Sequence, residues 1–360
     1  MSIHFHPLTV KEIIKETSDC VSVLFDVPDV LKPEFQYTQG QSLTMRAIIN
    51  GEEVRRSYSI CSSPLENKLK VAIKKVDGGL FSSFANEQLK KSDVLDVMTP
   101  VGKFNTPLLS SNKKNYIGFA AGSGITPLLS IIKTTLATEL NSTFTLVYAN
   151  KSRASIIFFE ELEGLKNKYI NRFTIIYILS REKTDAAINF GRITKDKCGD
   201  LTQKLIDIKY ADEFFLCGPE EMIFAVKHFL VDKGVAEMKI HFELFSTPGG
   251  NKAASHKLQA AIIDGPQSNI TIKLDGRSFD FTIPFNSNDS ILDAAMKQGA
   301  DVPYACKGGV CCTCKAKLLE GKVTMDVHWG LEQEEIEQGY ILTCQSHPVT
   351  EKVVIDFDVK

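Results

Sequence analysis

The sequence has no run of about 18 or more apolar residues, so it predicts no membrane-spanning helix. It also lacks an excess of either charge: 42 Lys and Arg stand against 44 Asp and Glu, and the net charge of -2 gives no reason to expect nucleic acid as a partner. The first residues, MSIHFHPLTVKEIIKET, lack a basic segment followed by an apolar core, which a signal peptide requires. We therefore expect a cytoplasmic protein, and its 360 residues predict two or three domains.

The residue pattern divides the chain into segments of different character. Residues 1–110 contain short runs rich in β-branched residues, bounded by turn formers, and predict a small closed β-barrel. In residues 111–246 apolar runs alternate with helical stretches, which predicts a doubly wound α/β domain. Residues 247–268 predict a linker, and residues 269–360 a compact unit of two strands, a helix, a cysteine loop and a final strand. The predicted strands of the first two domains are VSVLFDV, QSLTMRAII, RRSYSIC, KLKVAIKKV and DVLDVM, then NYIGFAA, FTLVYAN, FTIIYIL and DEFFLCG.

Nine cysteines are present, and their clustering indicates a metal site rather than a disulfide framework. In YACKGGVCCTC, three of them have the order C-x4-C-x2-C, and another follows in ILTCQS; this is the plant-type spacing for a [2Fe–2S] cluster. A structural zinc site is the alternative, but zinc loops usually pair two C-x2-C or C-x2-H units, which this chain lacks. The predicted ligands are Cys306, Cys311, Cys314 and Cys344.

The remaining cysteines have other predicted roles. Cys312 lies between two predicted ligands, and we expect its side chain to point away from the irons. Cys20, Cys61 and Cys198 are scattered along the chain and are expected to be buried structural thiols.

Two motifs in the first domain indicate a flavin. RSYS contains Arg56, Tyr58 and Ser59 on a predicted strand, and GGLFSSF follows with Gly79 and Ser82. An aromatic ring can stack on an isoalloxazine, a hydroxyl can hydrogen-bond near its reactive nitrogen, and a glycine-led helix N-terminus can hold phosphate. Tyr58 alone is more typical of a half-buried strand aromatic; its combination with Arg56, Ser59 and the glycine turn favours the flavin.

The second domain carries a strand, a glycine turn and a helix in the order that a dinucleotide requires. The turn GSGITP contains Gly122, Gly124 and Thr126. It is not the G-x-G-x-x-G fingerprint, and LVYAN ends without the acidic residue that would hold a ribose 2′-hydroxyl. In ILSREK, Ser180 and Arg181 follow another apolar strand and could hold a 2′-phosphate; a solvated strand end is an equal alternative.

In this order, RSYS, GGLFSS, GSGITP, ILSRE, FLCGPEEM and the cysteine loop resemble the ferredoxin–NADP reductase superfamily with a fused C-terminal ferredoxin, over nearly the whole chain. The resemblance implies a multidomain fold: a Greek-key FAD barrel, a doubly wound NAD(P) domain and a β-grasp ferredoxin domain. Within the superfamily the chain looks most like the reductase subunits of phenylacetyl-CoA epoxidase, which serve a diiron, multi-subunit oxygenase.

The resemblance also implies residue roles. The family's terminal aromatic is altered here, because the chain continues past Phe245. The implied FAD residues are Arg56, Tyr58, Ser59, Gly79, Ser82 and Phe245; the dinucleotide residues are Gly122, Gly124, Thr126, Ser180 and Arg181; and Ser59, Cys217 and Glu243 are the implied catalytic residues.

These observations predict an NAD(P)H-dependent oxidoreductase that uses FAD, a [2Fe–2S] cluster and, as substrate, NADPH in preference to NADH. NADPH delivers two electrons as hydride and the cluster accepts one, and a flavin joins these two chemistries. The alternatives are a reductase for another oxygenase, hydroxylase or desaturase, and a stand-alone electron carrier in which only the last domain reacts. A self-contained oxygenase would need a haem or diiron domain, for which we find no Glu-x-x-His pair in a helical context.

The last domain is acidic. Residues 269–360 carry nine Lys and Arg against fourteen Asp and Glu. Four of the glutamates are close together, and they predict either a solvated helix face or a docking surface for a basic patch on an oxygenase. They are Glu332, Glu334, Glu335 and Glu337.

Overall fold

The computed structural model describes residues 4–245 and 266–359. They form two compact units, a larger one within residues 5–245 and a smaller one within 266–359. Of the linker predicted for residues 247–268, all but the last three residues lie outside the described part. In the part that is described, no helix has the length and hydropathy needed to cross a membrane.

The first domain of the larger unit is a six-stranded barrel. Its sheet order is β4-β3-β6-β1-β2-β5, and an isolated bridge between Ile60 and Val71 joins the two edge strands. The strand pairs β1–β2, β1–β6, β2–β5 and β3–β6 are antiparallel. The strands are β1 Phe5–Thr17, β2 Cys20–Asp26, β3 Ser42–Ile49, β4 Glu52–Ser59, β5 Leu69–Lys74 and β6 Val94–Met98.

The prediction of a barrel is confirmed, and all five predicted strands are present, but β1 was not predicted. Two register shifts, between Val10 and Glu12 and between Lys15 and Thr17, interrupt its pairing with β2. Such bulges break the two-residue alternation by which a half-buried strand is recognised in a sequence. The barrel interior is apolar, and helix α1, Leu80–Glu87, packs Phe81 and Ala85 against it.

The second domain is the predicted α/β domain, with a five-stranded sheet in the order β11-β10-β7-β8-β9. All four neighbouring pairs are parallel. Strand β7 lies between β8 and β10, so the strand order reverses at β7 and β10, where open α/β sheets bind ligands at the carboxyl ends of the strands. The elements are β7 Asn115–Ala121, α2 Ile125–Thr138, β8 Thr143–Asn150, α3 Phe159–Lys168, β9 Phe173–Leu179, α4 Lys195–Lys204, β10 Glu213–Cys217, α5 Glu220–Asp232 and β11 Ile240–Glu243.

The middle of helix α2 is bonded to the barrel. The Ser130 hydroxyl donates to the Ser62 carbonyl at 2.6 Å. The buried Lys133 ammonium pairs with Glu66 of the barrel at 2.9 Å and with Glu161 of α3. A buried charge is tolerated only when it is paired in this way. These bonds hold the helix that follows the glycine turn in place on the barrel.

The smaller unit has a five-stranded mixed sheet in the order β13-β12-β18-β14-β16 and a separate pair, β15–β17. Strands β12 and β18 are parallel, and α6 packs its buried face on the sheet. The predicted helix, the two strands before it and the final strand are present. Strands β14, β15, β16 and β17 and helix α7 were not predicted; β15, β16 and β17 have only three residues each. The elements are β12 Gln267–Leu274, β13 Arg277–Pro284, α6 Ile291–Lys297, β14 Lys315–Glu320, β15 Val323–Met325, α7 Gln333–Glu337, β16 Tyr340–Leu342, β17 Ser346–Pro348 and β18 Lys352–Asp356.

The three scattered cysteines are buried in the larger unit, as predicted. Cys20, Cys61 and Cys198 are each at most 1% exposed. Burial raises the pKa of Cys61 and of Cys198 to about 12, so both are neutral thiols. They contribute packing rather than reactivity.

Candidate functional site

The two flavin motifs meet on one side of the barrel. Tyr58, near the end of β4, has its ring centroid 5.7 Å from that of Phe81 on α1, with the planes inclined by 39°. Arg56 is exposed on the same strand, and its guanidinium donates to the Arg55 carbonyl at 2.7 Å. The half-buried Tyr58 ring therefore lies against the first turn of α1.

The turn before α1 leaves little room for a side chain at position 79. A Cβ on Gly79 would lie 2.5 Å from the Ser82 hydroxyl oxygen. That hydroxyl accepts from the Val76 amide at 3.1 Å and donates to the Gly79 carbonyl at 3.2 Å. Ser82 is buried, and its hydroxyl is used within the turn. The first N–H groups of a helix have no partner within the helix, which suits a phosphate at the start of α1.

Ser59, the last residue of β4, is bonded to the other domain of the larger unit. Its hydroxyl donates to Glu243 Oε2 at 2.9 Å, at the end of β11. Removal of the carboxyl from water raises the pKa of Glu243 to about 7, against the opposing effect of the Ser59 hydrogen bond. The carboxyl therefore keeps its proton to a higher pH than an ordinary glutamate does.

Cys217 completes this group. It ends β10, and in the parallel ladder it is the register partner of Glu243. Its side chain is fully buried, and burial raises its pKa well above the ordinary range, so it is a neutral thiol. The three residues that the resemblance implied as catalytic, Ser59, Cys217 and Glu243, therefore lie together although they are far apart in sequence.

The glycine turn after β7 closes against the end of β10. A Cβ on Gly124 would lie 2.0 Å from the Cys217 carbonyl oxygen, and Gly122 has a φ of +55°, in the left-handed region. The buried Thr126 hydroxyl donates to the Ser123 carbonyl at 3.0 Å and fixes the start of α2. The turn and the helix N-terminus thus line the crevice where the strand order reverses.

Lys74 of β5 is a residue of this region that the sequence analysis missed. Its ammonium nitrogen is 3.8 Å from the position of a Cβ on Gly122, and it pairs with Asp19 at 3.6 Å. A cation beside a glycine turn favours an anionic ligand. The sequence held no signal for it, because a lysine at the end of a strand is usually only solvated.

Ser180 and Arg181 follow β9 at the carboxyl edge of the same sheet. The Ser180 amide donates to the Asn150 carbonyl at 2.9 Å, and the Arg181 amide donates to the Lys151 carbonyl at 2.8 Å. The Arg181 side chain is exposed. Phe245, two residues beyond β11, is 44% exposed.

In the smaller unit, the predicted cluster ligands form two pairs. The Cys311 thiol lies 3.1 Å from the Cys306 sulfur, and Cys314 is hydrogen-bonded to Cys344. The second pair is brought together by the β14–β16 ladder, which begins one residue after Cys314. Two pairs fit the needs of two irons, since each iron of such a cluster takes two thiolates. Among the described residues, no three or more His, Cys, Asp or Glu side chains gather as they do around one metal ion.

The ligand cysteines differ in pKa: a hydrogen bond to a neighbouring cysteine and burial raise the pKa of Cys311 and of Cys314 well above the ordinary value, whereas the pKa of Cys306 is lowered. Hydrogen bonds from the Cys311 thiol and from the Gly308 amide, the latter at 3.3 Å, lower the pKa of Cys306 to about 5. Gly309 has a φ of +71°, which a side chain would strain. The Cys312 thiol instead donates to the Gly330 carbonyl at 2.8 Å.

The acidic stretch is only partly a surface, which corrects the expectation of four equivalent glutamates. Glu335 is 5% exposed, and it pairs with Lys315 at 3.0 Å and accepts from the Glu332 amide at 3.0 Å. It is a structural residue of α7. Glu332, Glu334 and Glu337 are exposed.

Barrel, α/β sheet and paired cysteines together define a flavin- and pyridine-nucleotide-dependent oxidoreductase with an iron–sulfur domain. Three family models match: an oxidoreductase FAD-binding domain over residues 7–106, an oxidoreductase NAD-binding domain over 119–228 and a 2Fe-2S iron-sulfur cluster binding domain over 272–349. The chain belongs to the family of oxygenase reductase components that combine these three domains. The stand-alone electron carrier is therefore set aside.

Two curated relatives and one solved structure illustrate the family. A component of the 1,2-phenylacetyl-CoA epoxidase of Escherichia coli (strain K12) is 44% identical over 357 residues, covering 99% of this chain and 98% of that relative. The ferredoxin reductase component of 3-ketosteroid-9-alpha-monooxygenase from Rhodococcus rhodochrous is 34% identical, covering 97% and 96%. Phthalate dioxygenase reductase has the same fold, with a TM-score of 0.60, 24% identity and 98% of both chains covered. The resemblance inferred from the motifs is confirmed.

Proposed function

We propose that this chain carries electrons from NADPH, through FAD and a [2Fe–2S] cluster, to a multi-subunit diiron oxygenase, and that this oxygenase is phenylacetyl-CoA epoxidase. The observation that supports this partner is the 44% identity, over nearly the whole length of both chains, to a component of the E. coli epoxidase. Another relative serves a 3-ketosteroid monooxygenase, so the test below also includes a different oxygenase as partner. A cytoplasmic location would keep the cysteines reduced.

The chain's own residues would bind and orient the reactants. When bound, FAD accepts a hydride from the nicotinamide and releases electrons singly, and the cluster carries one electron at a time. Tyr58 offers an aromatic face to the flavin, and the N-termini of α1 and α2 offer N–H groups to the two pyrophosphates. Arg56 and Phe245 would complete the flavin site.

Ser59 and Glu243 would take up and return a proton at the flavin site. The hydroxyl donates to Glu243 Oε2, and a carboxyl with a pKa of about 7 can take up or return a proton near neutral pH. The neutral, buried Cys217 thiol beside them would pack on the nicotinamide without reacting.

The choice of NADPH rests on Ser180 and Arg181. Both follow β9 with their backbone held to the end of β8, and the guanidinium is exposed at the carboxyl edge of the sheet. A guanidinium with a hydroxyl beside it suits a 2′-phosphate. Cys306, Cys311, Cys314 and Cys344 would hold the cluster in the smaller unit, as two thiolate pairs.

The test is a reconstituted reaction. The protein, NADPH and a purified phenylacetyl-CoA epoxidase oxygenase component should together convert phenylacetyl-CoA, with product formed in proportion to the NADPH consumed. A Cys306→Ser variant is the control, because it should still pass electrons from NADPH to ferricyanide but no longer support the oxygenase. NADPH oxidation without product, together with efficient turnover of a steroid oxygenase, would reject the epoxidase as partner.

A further inference from the structure

Cys312 is the one cysteine of the cluster loop to which the proposed function gives no role. It lies between the ligands Cys311 and Cys314, and its thiol donates to the Gly330 carbonyl at 2.8 Å. Gly330 ends a short segment, residues 327–330, that follows the β15 strand; we call this segment the strap. The bond therefore joins the cluster loop to a part of the chain that holds no ligand.

The strap lies directly against the ligand loop. The Gly330 amide donates to the Gly309 carbonyl at 2.8 Å. A Cβ on Gly330 would lie 2.8 Å from the Cys311 carbonyl oxygen, and a Cβ on Gly309 would lie 2.6 Å from the Val327 side chain. Gly330 is thus required by the close approach of the Cys311 backbone and Gly309 by its positive φ and the Val327 side chain, so the two segments are in direct contact at these places.

A second bond system holds the other end of the strap. The amide of Asp326, one residue before the strap, donates to the Gln345 carbonyl at 3.0 Å. The Gln345 side chain in turn donates to the Lys307 carbonyl at 2.9 Å, within the ligand loop. The strap is therefore anchored at both ends, and the Cys312 thiol is the side-chain anchor at its Gly330 end.

We propose that Cys312 is a positioning residue for the iron–sulfur centre: its thiol holds the strap on the ligand loop, and the strap limits the access of water to the cluster. The reduction potential of such a cluster depends on hydrogen bonds to its sulfurs and on exposure to solvent. Reduction adds negative charge, which water stabilises, so release of the strap should make the cluster easier to reduce. The proposal rests on the proposed ligand set, in which Cys312 binds no iron.

The strap carries its own reporter, because Trp329 is the single tryptophan of the chain and is 43% exposed. The experiment compares the full-length, FAD- and cluster-loaded protein with its Cys312→Ala and Cys312→Ser variants. Serine is the conservative replacement, since its hydroxyl can still donate to the Gly330 carbonyl. Cys198→Ala, which removes a buried thiol from the larger unit, is the matched control.

In Cys312→Ala, the ratio of reduced to oxidised cluster at a fixed redox poise should rise about twofold to tenfold, the equivalent of one lost hydrogen bond. Loss of iron to a chelator and quenching of Trp329 fluorescence by acrylamide should both become faster. Cys312→Ser should restore all three readouts toward wild type, and Cys198→Ala should change none. The rate of flavin reduction by NADPH should stay the same in every variant.

Two results would overturn the proposal. If Cys312→Ala leaves the redox ratio, iron release and quenching unchanged, the thiol does not hold the strap. If serine behaves as alanine does, the hydrogen bond is not the cause. Failure of the ligand assignment looks different: Cys312→Ser would then abolish the visible absorption of the cluster, and one of the four ligand variants would retain it.

Discussion

The Ser59 hydroxyl donates to Glu243 Oε2 at 2.9 Å and joins the last residue of barrel strand β4 to the end of sheet strand β11. The bond crosses from the predicted flavin domain to the predicted nicotinamide domain of one unit. It also opposes the rise in the pKa of Glu243 that the loss of water causes. Because the pair stands beside Cys217 in the ladder, its chemistry can be tested directly.

Ser59→Ala should slow flavin reduction by NADPH about tenfold or more, since a positioned proton donor is lost. It should also move the pH midpoint of that step above 7, because the hydrogen bond that lowers the pKa of Glu243 is gone. Stopped-flow absorbance of the flavin between pH 5.5 and 9 measures both. Glu163→Gln, which alters a carboxylate bonded to Tyr177, is the control and should change neither.

The Glu243→Gln variant tests the raised pKa of Glu243 through the pH dependence of the melting temperature. The pKa of Glu243 is raised from 4.5 to about 7, so the folded protein binds more protons than the unfolded chain across that range. Stability of the wild type should therefore fall as pH rises from about 4.5 to 7 and then level off. Relative to wild type, Glu243→Gln should gain melting temperature progressively over that window. An equal difference at pH 5 and pH 8 would contradict the raised pKa.

Gly124→Ala should damage the dinucleotide site. The added Cβ would lie 2.0 Å from the Cys217 carbonyl oxygen, so either the turn or the end of β10 must move. Overpacking of this kind costs about 1–3 kcal/mol or more, and we expect a lower melting temperature and a KM for NADPH raised at least about tenfold. Bound FAD should be retained.

Gly199→Ala is the matched control for that substitution. Gly199 lies inside α4, and nothing approaches the position of its Cβ within 4 Å. Replacing an interior helical glycine by alanine should stabilise the protein by about 0.5–1 kcal/mol without changing KM. If both variants bind NADPH normally, the turn does not form the dinucleotide site.

Arg181→Ala should weaken the use of NADPH far more than the use of NADH. A charge-assisted hydrogen bond contributes about 1.5–3 kcal/mol, so kcat/KM for NADPH should fall about tenfold to hundredfold. Lys204→Ala removes a positive charge from the end of α4, which leads to the amino end of β10 at the opposite edge of the sheet, and should affect neither nucleotide. Equal losses with both nucleotides would show that Arg181 does not read the 2′-phosphate.

Serine substitution should separate the ligand cysteines from the others. Cys306→Ser, Cys311→Ser, Cys314→Ser and Cys344→Ser should each lose the visible absorption of the cluster and most of the iron. Cys61→Ser, at a buried thiol of the barrel, is the control and should keep both. Flavin reduction by NADPH should persist in all five proteins, because the flavin and nucleotide sites lie in the larger unit. A ligand variant with full iron content would contradict the assignment.

The exposed glutamates of α7 and its N-cap should affect only the reaction with the oxygenase. Reversal of Glu332, Glu334 and Glu337 to lysine should slow oxygenase turnover, and added salt should slow the wild type more than the variant, since salt screens exposed charges over roughly 8–10 Å. Transfer from flavin to cluster within the chain should be unchanged. Glu351→Lys, an exposed charge elsewhere in the same unit, is the control.

Loss of internal transfer in the triple variant would assign the three glutamates to an interface within the protein. Glu335 is kept unchanged in this experiment because it is buried against Lys315. Removing one partner of a buried ion pair lowers the free energy of unfolding by about 3–5 kcal/mol. A loss of turnover could then come from unfolding rather than from weaker docking.

The sequence alone determined the order of domains, nine strands of the larger unit, the α/β character of its second half and the spacing of the cluster cysteines. These are local properties: a buried parallel strand is a continuous apolar run, and a cluster loop needs its thiolates within a few residues. Strand β1 was not predicted because two bulges break the alternation of buried and exposed residues along it. The very short strands β15, β16 and β17 contain too few residues for any period.

Tertiary structure alone decided which distant residues meet. Ser59 and Glu243 are 184 positions apart, and only the packing of the barrel on the α/β sheet makes them partners. The same packing places Lys74 beside Gly122. Within the smaller unit, folding buries Glu335 among four glutamates that look alike in the sequence and gives Cys312 a bond to Gly330. The physical reason is the same in each case. Burial and pairing depend on residues that are distant in sequence and close in space, and a local sequence pattern does not show which residues these are.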